Sequence, residues 1–216
     1  MRRYRNRTEA GRLLAELLRA RGPLKDPIVL ALPRGGVPVA APIAEALGAP
    51  LDVFIVRKLG VPGHEELAMG AIASGGVRVV NRDVVDSLGI SEAAIDRVAM
   101  REEAEMRRRE KEYRGERPPL DVRGKTVIVV DDGLATGSTM RAAVQALRNA
   151  GAGAIIVAVP VAAASTCASL RREVDDLVCG MTPEPFLAVG MWYDDFEQTT
   201  DAEVRALLDS LRTAGT

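Results

Sequence analysis

The chain is short of the residues on which several protein classes depend. Its two cysteines, Cys167 and Cys179, are too few for a disulfide framework and lack zinc-type spacing, so they read as reduced, partly buried residues of a cytoplasmic protein. Charge of one sign is missing as well. A formal net charge of -1 supplies no global field for holding nucleic acid, so no nucleic-acid partner is expected and any bound anion must be held locally. Long apolar runs are also absent: the longest, "AIIVAVPVAAA" from Ala154, contains Pro160 and falls far short of the roughly 20 residues a membrane span needs. No membrane partner is expected. The basic start "MRRYRNR" is followed by alternating charged and apolar residues, not the continuous apolar core of a signal peptide. Aromatics are scarce at 3%, and one short stretch, "MWYDDF", gathers the only tryptophan with Tyr193 and Phe196.

What remains is an ordinary composition, 47% hydrophobic and 27% charged, in 216 residues. That length suits one core better than two. Apolar residues at helical spacing from Thr8 to Arg21 give a first amphipathic helix, with Asn6 or Thr8 as its N-cap. "IVLAL" reads as a short, fully apolar strand covered on both faces, and "LDVFIVRKL", "TVIVV", "AIIVAV" and "DLVCGM" read as further strands. Helices between them, from Val37 to Leu47, Ser138 to Asn149 and Ser165 to Glu173, imply βαβ units and an α/β fold with an open, mainly parallel five-stranded sheet flanked by helices. The segment from Gly60 to Gly76 holds five glycines and one proline, which predicts a long mobile loop with at most a little strand at "AMGAIA". "VRVVN" predicts a short strand. From Ser91 to Arg114 a long helix carries arginines and glutamates of alternating sign, the pattern of a solvated face.

Ligands of open parallel sheets sit beyond the carboxyl ends of the strands, and three groups of residues fall there. The first is "VIVVDDGLATGST", Val127 to Thr139. If a helix begins near Ser138, the amides of Ala135, Thr136, Gly137, Ser138 and Thr139, with their three hydroxyls, form a cradle for a phosphate dianion at the positive end of the helix dipole. Asp131 and Asp132 would repel that phosphate, so they should meet hydroxyl donors or the water shell of a metal; a ribose 5-phosphate satisfies both halves. The second group is "LPRGG", where Arg34 and the amides of Gly35 and Gly36 can take a second anion. The third is Arg57 with Lys58, two cations at a strand end that need an anion or an ion pair to neutralise them.

These strings resemble the type I phosphoribosyltransferases, whose substrate is 5-phosphoribosyl 1-diphosphate (PRPP). "VIVVDDGLATGST" is similar to their PRPP signature throughout. "ALPRGG" looks like their diphosphate loop, in which a non-proline cis peptide is typical, here Pro33 to Arg34. "IVRKLGVPGHEELAMG" resembles the strand and flexible loop that close over the site. "AVGMWYDDFEQTTDAEV" is similar to the hood that covers the base. The resemblance implies a single Rossmann-like domain over residues 1–216, with a core of about 28–180, a hood of about 181–200 plus the N-terminal segment, and a helical insertion at about 91–114.

It also implies chemistry: displacement of diphosphate from C1 of the ribose by a nitrogen of a nucleobase-like acceptor, with Mg2+, Arg34 and Lys58 stabilising the leaving group. Asp194 matches the position of a metal-site acid, Asp131 and Asp132 reach the metal through water, and Phe186, Trp192 and Phe196 are candidates to stack on the base. Glu65, beside Glu66 and His64, is the candidate general acid or base. Ala135 stands where relatives acting on 6-oxopurines carry an acid, while "DDGLATG" is closer to adenine phosphoribosyltransferases, so a purine is favoured and the base is left open. A homodimer is expected from the family. The competing expectation is a PRPP-binding regulator without turnover, although the single early helix is too little for a helix-turn-helix.

Overall fold

The computed structural model describes residues 3–213, with side chains through Leu211. Five strands form a parallel sheet in the order β2-β1-β6-β7-β8: β1 (Pro27–Ala31), β2 (Leu51–Val53), β6 (Thr126–Val130), β7 (Ala154–Val161) and β8 (Asp176–Met181). Alternate residues of each strand enter opposite apolar clusters. Val29, Ala31, Ile128, Val130, Ile156 and Ala158 pack on one side with α1 (Arg7–Arg19) and α2 (Gly36–Leu47). Ile28, Leu30, Val127, Val129, Ile155 and Val157 pack on the other with α5 (Ser138–Asn149) and α6 (Ala164–Leu170). This two-sided burial is why the strands are continuous apolar runs.

The expected strand "LDVFIVRKL" divides in two. β2 ends at Val53, and after Phe54 and Ile55 the chain leaves the sheet as β3 (Val56–Val61). The crossing is pinned where Ser74 Oγ accepts the Ile55 N–H at 2.9 Å and the Ser74 N–H donates to Ile55 O at 2.8 Å. β3 pairs antiparallel with β4 (His64–Ala73), and β4 with β5 (Val77–Val80). The region read as a mobile loop is therefore an ordered three-stranded flap. Two of its glycines serve close approach: an added Cβ would lie 2.6 Å from Glu65 O at Gly60 and 2.3 Å from Val79 O at Gly70.

After α3 (Arg82–Ser87), the charged helix α4 (Glu92–Arg114) opens on Ser91, whose side chain accepts the Ala94 N–H as an N-cap does. Its exposed face is laced with i,i+3 and i,i+4 pairs such as Arg108–Glu105 and Arg107–Glu103. Its other side ties distant parts together. Glu102 takes Arg57 of β3 at 2.6 Å, Tyr113 donates to Asp201 at 2.6 Å at the start of α7 (Asp201–Thr213), and the buried Arg114 grips the buried Asp52 of β2 at 2.7 Å. The side element inferred from sequence is thus a brace between flap, sheet and C-terminal helix. Among the described residues no helix is long and apolar enough to cross a membrane.

Candidate functional site

β1 and β6 are neighbours, so "PRGG" and "DDGLATGST" leave the sheet side by side. The turn after β1 contains a cis peptide between Pro33 and Arg34, as the resemblance implied, and packs directly on the acid pair. A Cβ at Gly35 would stand 2.0 Å from Asp132 Oδ2; one at Gly36 would stand 2.6 Å from Val130 O. Only glycine permits this approach. The Gly36 N–H donates to Leu32 O at 3.0 Å, which corrects the expectation that this amide is open to an anion.

The loop read as a phosphate cradle leads into a helix that starts where the sequence indicates. α5 begins at Ser138 behind Gly137, which takes the left-handed conformation at φ 74°. The first helical bond runs from the Arg141 N–H to Gly137 O, so the amides of Ser138, Thr139 and Met140 have no intrahelical acceptor. Ala135, Thr136, Ser138 and Thr139 are exposed, and the Thr136 and Ser138 hydroxyls lie 3.0 Å apart. Thr166 of α6 steadies the loop from behind by donating to Ala135 O at 2.6 Å. A cavity of about 370 Å³ opens between the flap and α5, lined by Lys58, Ser138, Thr139 and Arg141 among others, so the flap cation and the phosphate loop do share one space.

The acid pair is half-buried. Loss of hydration, then the neighbouring charge of Asp132, pushes the Asp131 carboxyl well above the usual carboxylate range. Burial raises Asp132 too, against the pull of Arg7. Asp131 Oδ1 accepts the Asp132 N–H at 2.9 Å, and among the described residues no basic side chain pairs with it. Arg7 was not foreseen. Its Nε donates to Asp132 Oδ2 at 2.8 Å, its Nη1 donates to Glu197 O at 2.8 Å, and its Cζ lies 3.9 Å from the centre of the Phe196 ring.

The hood follows β8. A 3-10 turn (Val189–Trp192) packs on the acid loop so closely that a Cβ at Gly133 would lie 2.5 Å from Val189 Cγ1. The N-terminal segment joins it: Tyr4 pairs with Tyr193, and the Asp194 N–H donates to Tyr4 O at 2.8 Å. Tyr193, buried, donates its hydroxyl to Asp132 O at 2.6 Å and stacks on Phe196 at 5.0 Å; burial and then the Asp132 charge raise its pKa.

Several expected roles shift in the folded chain. Arg57 is committed to Glu102, the ordinary ion pair, and is not left for a diphosphate. Arg34 turns toward Asp201, 3.8 Å away, in a polar cavity of about 160 Å³ shared with Arg108, Arg109 and Tyr113. Glu65 and His64 stand exposed where β4 begins, and the separate cavity of about 390 Å³ that His64 lines, with Leu88 and Ala94, includes no residue of the acid pair or of the loop from Ala135 to Thr139. Asp194 is exposed, and among the described residues no three acidic, histidine or cysteine side chains gather to hold a metal ion. Of the stacking candidates, Phe196 already carries Arg7, while Phe186 and Trp192 are partly buried against the small cluster of Tyr4, Ala10, Val161 and Tyr193.

The profile of the phosphoribosyl transferase domain family matches residues 5–179, and the chain belongs to that family. It is 46% identical over 209 residues to a Mycobacterium tuberculosis chain named as a phosphoribosyl transferase, covering 97% of this chain and 47% of that one, so it spans about half the length of this curated relative. The bifunctional protein PyrR of Chloroflexus aurantiacus is 34% identical over 120 residues, 55% of this chain and 60% of its own. In three dimensions the crystal structure of the Thermus thermophilus protein TT1426 matches with a TM-score of 0.87 at 41% identity, over 98% of this chain and 99% of the other.

Proposed function

We propose that the chain transfers the 5-phosphoribosyl group of PRPP to a nitrogen of a nucleobase-like acceptor, a purine favoured, and releases diphosphate. One observation carries this reading. A carboxylate pair and the open N-terminus of α5 lie at the end of one strand, beside a second strand end with a glycine turn, so hydroxyls and phosphates of one ligand find separate partners. Asp131, with no basic partner of its own among the described residues, fits a magnesium ion held by a carboxylate, water and substrate oxygens. When bound, magnesium would neutralise charge on the diphosphate. The chain's own residues do the rest: Asp131 and Asp132 accept ribose hydroxyls, the loop from Ala135 to Thr139 holds the 5-phosphate, and Lys58 on the flap attends the departing diphosphate while the flap limits access of water.

A second reading is a PRPP sensor that does not turn over. It is favoured by the placement of Glu65 and His64, the foreseen general acid or base, away from the cavity shared by Lys58 and the phosphate loop. One experiment separates the two. Purified protein with PRPP, Mg2+ and a panel of purine, pyrimidine and pyridine bases should release diphosphate only with a matching base; PRPP binding without release would establish the sensor, and no PRPP binding would end both readings. A cytoplasmic homodimer is the assembly we expect with this activity, and light scattering of the purified chain would test it.

A further inference from the structure

Arg7 is the first residue of α1, at the positive end of that helix's dipole, where a cation gains nothing from the helix itself. Asn6 already caps the helix by accepting the Glu9 N–H. The guanidinium is instead spent on three partners elsewhere: Asp132 Oδ2, Glu197 O and the face of Phe196. Its side chain is only 11% exposed, and that of Asp132 17%. The contact also borders the diphosphate turn, since a Cβ at Gly35 would lie 3.4 Å from Arg7 Nε. A second hood residue, Tyr193, holds the main chain of Asp132 through its carbonyl.

We propose that Arg7 is a positioning residue of the phosphoribosyl site: it fixes Asp132 against the Gly35 turn and ties that carboxylate to the hood, so that aiming the acid and seating the hood are one arrangement. This rests on the phosphoribosyl reading above. With Oδ2 held by Arg7 and the carbonyl by Tyr193, the direction of Oδ1 is set, and Oδ1 is left for a ribose hydroxyl. The planar fork supplies two hydrogen bonds at fixed angles while its Cζ sits 3.9 Å over the centre of the Phe196 ring, which a lysine ammonium does not do. Arg7 therefore acts on the sugar through Asp132, and the groups it serves are the ribose hydroxyls.

The test compares ligands with and without those hydroxyls. PRPP, ribose 5-phosphate and inorganic diphosphate are titrated calorimetrically, each with Mg2+, into the wild-type chain, Arg7→Ala and Arg7→Lys. Loss of an aimed hydrogen-bonding carboxylate should weaken PRPP and ribose 5-phosphate about tenfold in Arg7→Ala and less in Arg7→Lys, with diphosphate within about twofold of wild type. Thermal melting identifies a variant that fails to fold, and Arg7→Lys, which keeps the charge, then carries the comparison. Unchanged ribose 5-phosphate affinity, or diphosphate weakened as much as PRPP, would overturn the role of Arg7. A wild type that binds no PRPP would overturn the phosphoribosyl reading itself, and this inference with it.

Discussion

Gly35 and Asp132 belong to different loops, yet a methyl group added to the first would stand 2.0 Å from a carboxylate oxygen of the second. Gly35 has ordinary helical dihedrals, φ -59° and ψ -31°, so its requirement is for space and not for backbone freedom. Gly35→Ala should therefore fold and push the Asp132 carboxylate aside. We expect kcat/KM for PRPP to fall by at least about tenfold, as displacement of a positioning group by about an ångström does. Steady-state kinetics beside a thermal melt checks this, and an alanine variant with wild-type kinetics would contradict the packing described.

Asp131 makes a prediction about pH. Its carboxyl is raised above the ordinary value of 3.8, so the folded state favours the protonated form. The stability this gives is present at acid pH and is lost as pH rises through the folded pKa. Asp131→Asn removes that loss. At neutral pH the variant should be more stable than wild type by about 1 kcal/mol, a rise of roughly 2–4 °C in Tm, while PRPP use is abolished. Melting curves from pH 4 to pH 8 should converge at the acid end (about one pH step between samples suffices).

The Arg114–Asp52 pair predicts a large stability effect far from the acid pair. Both side chains are under 10% exposed, and Arg114 also donates to Val53 O at 2.6 Å. Burial raises the Asp52 pKa in spite of Arg114. Arg114→Met strands a buried carboxylate and should cost about 3–5 kcal/mol in denaturant unfolding. Adding Asp52→Leu should recover much of that loss, because the cost lies mainly in the unpaired charge.

Thr166 offers a gentler change at the phosphate loop. Its hydroxyl holds Ala135 O at 2.6 Å, and its methyl lies against Gly137, where an added Cβ would meet Cγ2 at 2.9 Å. Thr166→Val keeps the shape and removes the donor. The loss of one neutral hydrogen bond, about 1 kcal/mol, should raise the KM for PRPP several-fold with a smaller change in kcat. A wild-type KM would mean that the loop is held without Thr166.

The sheet and the turn from "DDGLATGST" into α5 were legible because their signals are local. Apolar runs ending in "DDGLATGST" and "PRGG" place the ligand side of a parallel sheet, and the start of α5 at Ser138 follows from Gly137. The flap was misread for a local reason too. Gly60 and Gly70 look like loop residues, but they are demanded by neighbouring backbone, which only the paired strands reveal. Arg7 gave no signal at all: its partner Asp132 lies 125 residues away, and one arginine among several near the start has nothing to distinguish it. The face of α4 that meets Arg57, Asp52 and Asp201 was hidden likewise, since its glutamates and arginines read alike whether they face water or a partner.

The bond from Arg7 to Glu197 spans 190 residues. During synthesis the acid pair can therefore emerge beside an Arg7 already made, and the central strands can pair, well before Asp132 acquires its hood. The nascent protein must hold two adjacent carboxylates in an unfinished site until the hood has been made, and closing that site is a late event in folding, governed by contacts between the first helix and a segment that leaves the ribosome long after it.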